Sequence, residues 1–123
     1  MKTIKLAGKE LPILISVNVV EQIQKRYGNV TELAKKIRDF GEIKWVLTQA
    51  INAAAEYQAY LNGTPATHLS DEEVGAIMEI KDFQAAVDVM IEALEESLGA
   101  PKNSIAGEVS RIAASLMEEK TSL

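Results

Sequence analysis

The chain contains no cysteine. That absence excludes disulfides, thiolate metal sites and thiol nucleophiles, and leaves packing alone to hold a core. Histidine occurs once, at His68, which cannot build a metal site by itself. Aromatic side chains are scarce, with one Trp, three Tyr and two Phe, and prolines number three. No run approaches the roughly 18 apolar residues needed to span a bilayer. The apolar-leaning stretch from Leu11 to Val20 is broken by Pro12, Ser16 and Asn18 and lacks a small-residue cleavage site. A soluble, unsecreted protein with no membrane partner is therefore expected.

What is present suffices for one core. Apolar residues make up 47% of 123 positions, and a chain of this length buries roughly two thirds of the surface its unfolded form exposes. The formal net charge of -5 conceals an asymmetry. Up to Lys44, nine Lys and Arg face five acids; from Trp45 onward four face thirteen. Such polarity steers association with charged partners, or simply reflects solvated helix faces.

The order of elements is more informative. Thr3 to Leu6 alternates polar and apolar residues, Ala7-Gly8-Lys9-Glu10 supplies a turn, and Leu11 to Ile15 returns as a second strand. Pro12 cannot donate to a ladder, so it belongs at an open edge or at the start of that strand. Asn18 with Glu21 reads as a capping box for a helix whose Val19, Val20, Ile23 and Tyr27 recur at helical spacing until Gly28. Asn29 with Glu32 repeats the signal for a short helix with Val30, Leu33, Ile37 and Phe40, ended by Gly41. The longest helix then runs from about Glu42 to Leu61, with Ile43, Val46, Leu47, Ala50, Ile51, Ala54, Tyr57 and Leu61 on one side. Trp45 lies about 200° around from Ile43, where it covers the hairpin or stays partly exposed.

Asn62 to Leu69 is a polar connector. Ser70 with Glu73 makes a third capping box, before Val74, Ile77 and Met78. Asp82 caps a further helix, with Phe83, Ala86, Val87, Met90, Ile91, Leu94 and Leu98 inward, Asp88, Glu92, Glu95 and Glu96 outward, and Gly99 as its stop. A linker with Pro101 leads to a last amphipathic stripe of Ile105, Val109, Ile112, Ala113 and Leu116. That helix either packs on its own domain or docks on a partner or a second copy. The expected architecture is mainly α: a small bundle of five to six helices with an N-terminal β-hairpin, divided into a domain over 1–99 and a linker plus amphipathic helix over 100–123.

Catalytic chemistry is not signalled. His68 sits on a loop, and Asp71, Glu72 and Glu73 occupy a first helical turn, where acids interact favourably with the helix dipole. Glu92, Glu95 and Glu96 have metal-like spacing but no histidine beside them, so no cofactor or metal is expected. A DNA-binding alternative arises because Thr31 to Ile37 resembles the first helix of a helix-turn-helix unit, with Lys25, Arg26, Lys35, Lys36 and Arg38 available for phosphate. Against it, the next helix begins with Ile43, Trp45, Val46 and Leu47, which offer little to base edges, and a sequence pI near 4.9 gives no general attraction to phosphate. Nucleic acid is not the expected partner.

The succession of hairpin, capped helix ending in Tyr27-Gly28, short helix, long helix, connector with Leu69 to Val74 and closing helix resembles the tail assembly chaperones of long-tailed bacteriophages and prophages. It is especially similar to the small tail chaperone of gene transfer agents. Leu11 to Ser16, Val20 to Ile23, Arg26 to Gly28, Leu33, Trp45 to Leu47, Leu69 to Val74 and Ala93-Leu94 carry the likeness, which spans about residues 2 to 99. It implies a non-catalytic helper in the bacterial host cytoplasm that binds tape-measure and tail-tube proteins during virion morphogenesis and then leaves. Self-association into a homo-oligomer is a further expectation, and a structural phage tail or head-completion subunit is the alternative in the same setting. The family fixes no contact residues by motif, so the partner-binding candidates come from exposure arguments: Trp45 on the long helix, and Ile105, Val109, Ile112 and Leu116 on the last one.

Overall fold

The computed structural model describes residues 1–29, 32–33, 39–99 and 113–116. The protein is mainly helical, with a two-stranded antiparallel hairpin at its start. Strand β1 spans Thr3–Leu6 and β2 spans Lys9–Pro12, with Leu6 opposite Lys9 and Thr3 opposite Pro12. The second strand thus begins and ends earlier than Leu11 to Ile15, because the turn is only two residues long. Ala7 and Gly8 both have positive φ, 54° and 75°, the arrangement that matches the twist of a tight hairpin. Gly8 adopts it freely, whereas Ala7 is strained by about 1 kcal/mol. The Ala7 N–H donates to the Ile77 carbonyl at 2.8 Å, which ties the hairpin tip to the helices. In this register Pro12 falls at a position without ladder hydrogen bonds, so its missing N–H costs nothing there. Ile13 N–H then resumes pairing with the Lys2 carbonyl at 2.9 Å.

Four helices follow among the described residues: α1 Val17–Tyr27, α2 Phe40–Asn62, α3 Asp71–Ile77 and α4 Ile80–Leu98. A short helical stretch at 113–116 also lies in the described chain. Ser16, rather than Asn18, caps α1: its hydroxyl accepts from Val19 N–H, and Gly28 closes the helix as expected. The N-terminal cap of α2 is Asp39, whose carboxylate accepts from Glu42 N–H at 2.9 Å. Gly41 is therefore inside the first turn of the long helix and terminates nothing. The short helix expected from Asn29 to Phe40 lies largely outside the described residues; of its stripe, Leu33 is fully buried. Helix α3 begins with the expected reciprocal box between Ser70 and Glu73. Helix α4 starts two residues before Asp82, with Glu79 at its cap position and no side-chain cap bond.

Helix α2 is the axis of the molecule, about 34 Å long at 1.5 Å per residue. It touches α1, α3, α4 and β2, while β1 lies on α4. Ile4 and Leu6 from the hairpin, Ile13 and Ile15 from the segment after it, and Val19, Ile23 and Tyr27 from α1 meet Ile43, Val46, Leu47, Ala50 and Ile51 of α2 in one core. Val74 and the α4 stripe from Phe83 to Leu94 complete it. One outward and two inward assignments change. Glu95 is buried, one turn along α4 from Ile91 and only about 40° around from it. Tyr57 and Leu61 continue the α2 stripe but are exposed, because the helix outruns its neighbours.

The connector is anchored in a way the sequence conceals. Asn52 on α2 donates its amide N–H to the Leu69 carbonyl and accepts from Leu69 N–H, both at 2.8 Å. One side chain thereby supplies both hydrogen bonds of a strand-like pairing and starts α3 on its return path along α2. Ala113 is buried in the common core and Leu116 packs against it, so this part of the last amphipathic stripe rests on its own domain.

Candidate functional site

Two sites flank the first turns of α2. On one side, Arg26 and Tyr27 at the end of α1 reach across to Glu42 and Trp45. Arg26 Nε donates to Glu42 Oε2 at 3.0 Å, and the Tyr27 hydroxyl donates to the same oxygen. The Tyr27 and Trp45 rings meet edge to face, centroids 6.0 Å apart at 78°. The Arg26 guanidinium lies 4.5 Å from the Trp45 ring centroid, a cation–π contact. Arg26, and secondarily Tyr27, hold the Glu42 carboxyl below the usual range. Burial, followed by Glu42, pushes the Tyr27 phenol up. Trp45 therefore stays partly exposed, the second of its two expected placements, and lies against Arg26 and Tyr27 at the end of α1.

On the other side, α2, α3 and α4 leave an open apolar cleft of about 220 Å³. Phe40, Val74, Met78, Ile80 and Phe83 line it. The Phe40 and Phe83 rings form its floor, centroids 4.9 Å apart and tilted by 46°. Ile80 on its wall is 50% exposed, and the neighbouring Ile77 is also exposed. Lys44 and Glu79 are the charged residues of its lining. The aliphatic stem of Lys44 lies across Gly75, where an added Cβ would sit 3.1 Å from Lys44 Cδ. A glycine inside a helix costs about 1 kcal/mol relative to alanine, so its place in α3 has a packing reason. Glu79 pairs with Lys81 at 3.2 Å, whereas Lys44 makes no ion pair among the described residues. Lys5 and Lys9 have none either, but both are exposed on the hairpin; Lys44 is half-buried.

A third uncovered surface is the far end of α2. Tyr57, Tyr60 and Leu61 project from it, with Tyr60 86% exposed, and the connector from Gly63 to His68 runs exposed beside them. His68 meets Glu56 there at 2.8 Å, both side chains open to solvent.

Of the expected partner-binding residues, Trp45 belongs to the α1–α2 joint, and Leu116 packs against the core. Ile105, Val109 and Ile112 lie outside the described residues. The cleft escaped sequence reasoning because Phe40, Lys44, Val74 and Phe83 come from three separate elements; Gly75, a helix-interior glycine, was the available signal. Among the described residues no group of three or more His, Asp or Glu is placed to hold a metal ion. Glu92 and Glu96 instead share Lys2 at 3.1 and 3.3 Å. No helix among them is long and apolar enough to cross a membrane. Ile43, Val46 and Leu47, which open the only described stretch that could follow a helix-turn-helix first helix, are buried in the core.

Fold and surface together define a small helical protein with an open apolar cleft. Compared with protein-family models, with curated proteins and with solved structures, the chain matches none.

Proposed function

We propose that this chain is a non-catalytic tail assembly chaperone of a phage or prophage, which covers apolar helical surface of a tape-measure protein and engages tail-tube protein in the host cytoplasm. The observation that supports this reading most is the apolar cleft, with Ile80 of its lining half exposed. Concave apolar surface rimmed by charge is the form that receives one face of an amphipathic helix. The exposed tyrosines at the far end of α2 add amphipathic side chains of the kind enriched in protein interfaces. A tape-measure protein is long, helical and prone to self-association before the tube encloses it, so a reversible cover on its apolar stripe meets a physical need. The order of elements, from the hairpin through the Ser70–Glu73 box to the helix ending at Gly99, is the second support.

The test is co-expression with the tape-measure protein encoded in the same genome. A chaperone yields soluble tape-measure protein co-eluting with this chain at a defined stoichiometry. Tape-measure protein that stays insoluble, while this chain elutes alone as a large ring or polymer, assigns it to the structural components instead.

A further inference from the structure

The cleft contains more than apolar surface. Its one half-buried cation, Lys44, lies over Gly75 with both its stem and its ammonium beside that glycine, and no anion meets it among the described residues. The contrast with Arg26, which reaches the other flank of α2 from α1, is direct: Arg26 is paired with Glu42 and stacked on Trp45. An unpaired ammonium beside an apolar wall offers a charge-assisted contact to an anion brought by a partner. Charge complementarity of this kind gives register and specificity to an otherwise greasy contact.

We propose that the cleft takes an apolar side chain from a helix of the partner protein while Lys44 pairs with an acidic residue about one turn away on that same helix. The geometry behind this is simple. Residues three or four apart on a helix sit roughly 5 to 6 Å from each other, so one helix supplies the insertion and the ion pair side by side. Glu79 also lines the cleft and is engaged by Lys81, so it repels an acid that comes to it instead of to Lys44. The proposal deepens the chaperone reading and rests on it: the partner segment belongs to the tape-measure protein.

Fluorescent peptides tiling the tape-measure protein provide the probes, titrated by anisotropy into the full chain. A binding tile should carry an acid three or four residues from a large apolar residue. Lys44→Met, which keeps a stem on Gly75, should weaken it about tenfold and flatten its salt dependence. Lys44→Glu should weaken it further, and changing the peptide acid to lysine should restore binding to Lys44→Glu alone. Circular dichroism of each variant establishes that the fold is intact. A tile that binds wild type and Lys44→Met equally, at every salt concentration, overturns this inference and leaves the chaperone reading standing. If no tile binds, both fall.

Discussion

The two flanks of α2 differ in how completely their polar groups are matched. At the joint with α1, Arg26, Tyr27, Glu42 and Trp45 satisfy one another through an ion pair, a hydrogen bond, a ring contact and a cation–π contact. At the cleft beside α3 and α4, Lys44 makes no ion pair among the described residues and the apolar walls are open. Lys44 and Trp45 are neighbours in the chain, yet Trp45 completes a structural joint and Lys44 has no ion pair among the described residues. Matched interactions hold the fold; unmatched ones beside a concave apolar wall are where binding is proposed.

That contrast orders the expected effects of substitution. The largest falls at the joint. Tyr27→Ala removes a buried ring from the core and from Trp45, and should cost about 3 kcal/mol in urea unfolding. Its effect on partner affinity, measured where the variant is folded, should be negligible; a specific loss of binding would break the comparison. Lys44→Met inverts the pattern, with stability within about 0.5 kcal/mol of wild type and binding reduced about tenfold.

Glu42→Gln sharpens the account through pH. Its cost should be about 1 kcal/mol at neutral pH, since a charge-assisted bond on a partly exposed group is replaced by a neutral one. The Glu42 carboxyl titrates lower in the folded protein than in the unfolded chain, where its ordinary value is 4.5. Its contribution is therefore complete above that value and lost as pH falls through the folded one. Wild type and variant should converge in acid. Tyr27 gives the opposite limb: with its phenol pushed up, stability should decline as pH rises above the ordinary value of 10.0. Denaturation curves across pH check both signs.

The smallest effect is also the most diagnostic. Gly75→Ala improves the helix propensity of α3 but forces the Lys44 stem to move by a few tenths of an ångström. Stability should be unchanged or rise by up to about 1 kcal/mol while peptide binding weakens. Opposite movements of those two readouts separate a positioned ammonium from a merely solvated one.

How much of this was legible in the chain depends on range. Signals confined to four or five residues read correctly: β1, the glycine stop at Gly28, the Ser70–Glu73 box and the stop at Gly99. Where two local signals competed, sequence chose the wrong one. Asn18 with Glu21 outshone Ser16, and Gly41 outshone Asp39, because a capping pattern says nothing about which backbone turn the tertiary structure admits. Periodicity found the α2 stripe but could not tell where the bundle stops, so Tyr57 and Leu61 were placed inward. The candidate site was nearly illegible. Lys44 acquires meaning only from Gly75, thirty-one positions later, and Asn52 only from Leu69. Trp45 was placed by its angle from Ile43 alone, whereas its cover comes from Arg26 and Tyr27 on another helix.

Hydrogen–deuterium exchange on the complex with a binding tape-measure tile tests the central claim most directly. The account predicts added protection across 74–83, the α3–α4 wall of the cleft, with exchange over 19–27 unchanged. Protection gained over 19–27, with 74–83 exchanging as in the free chain, would contradict it.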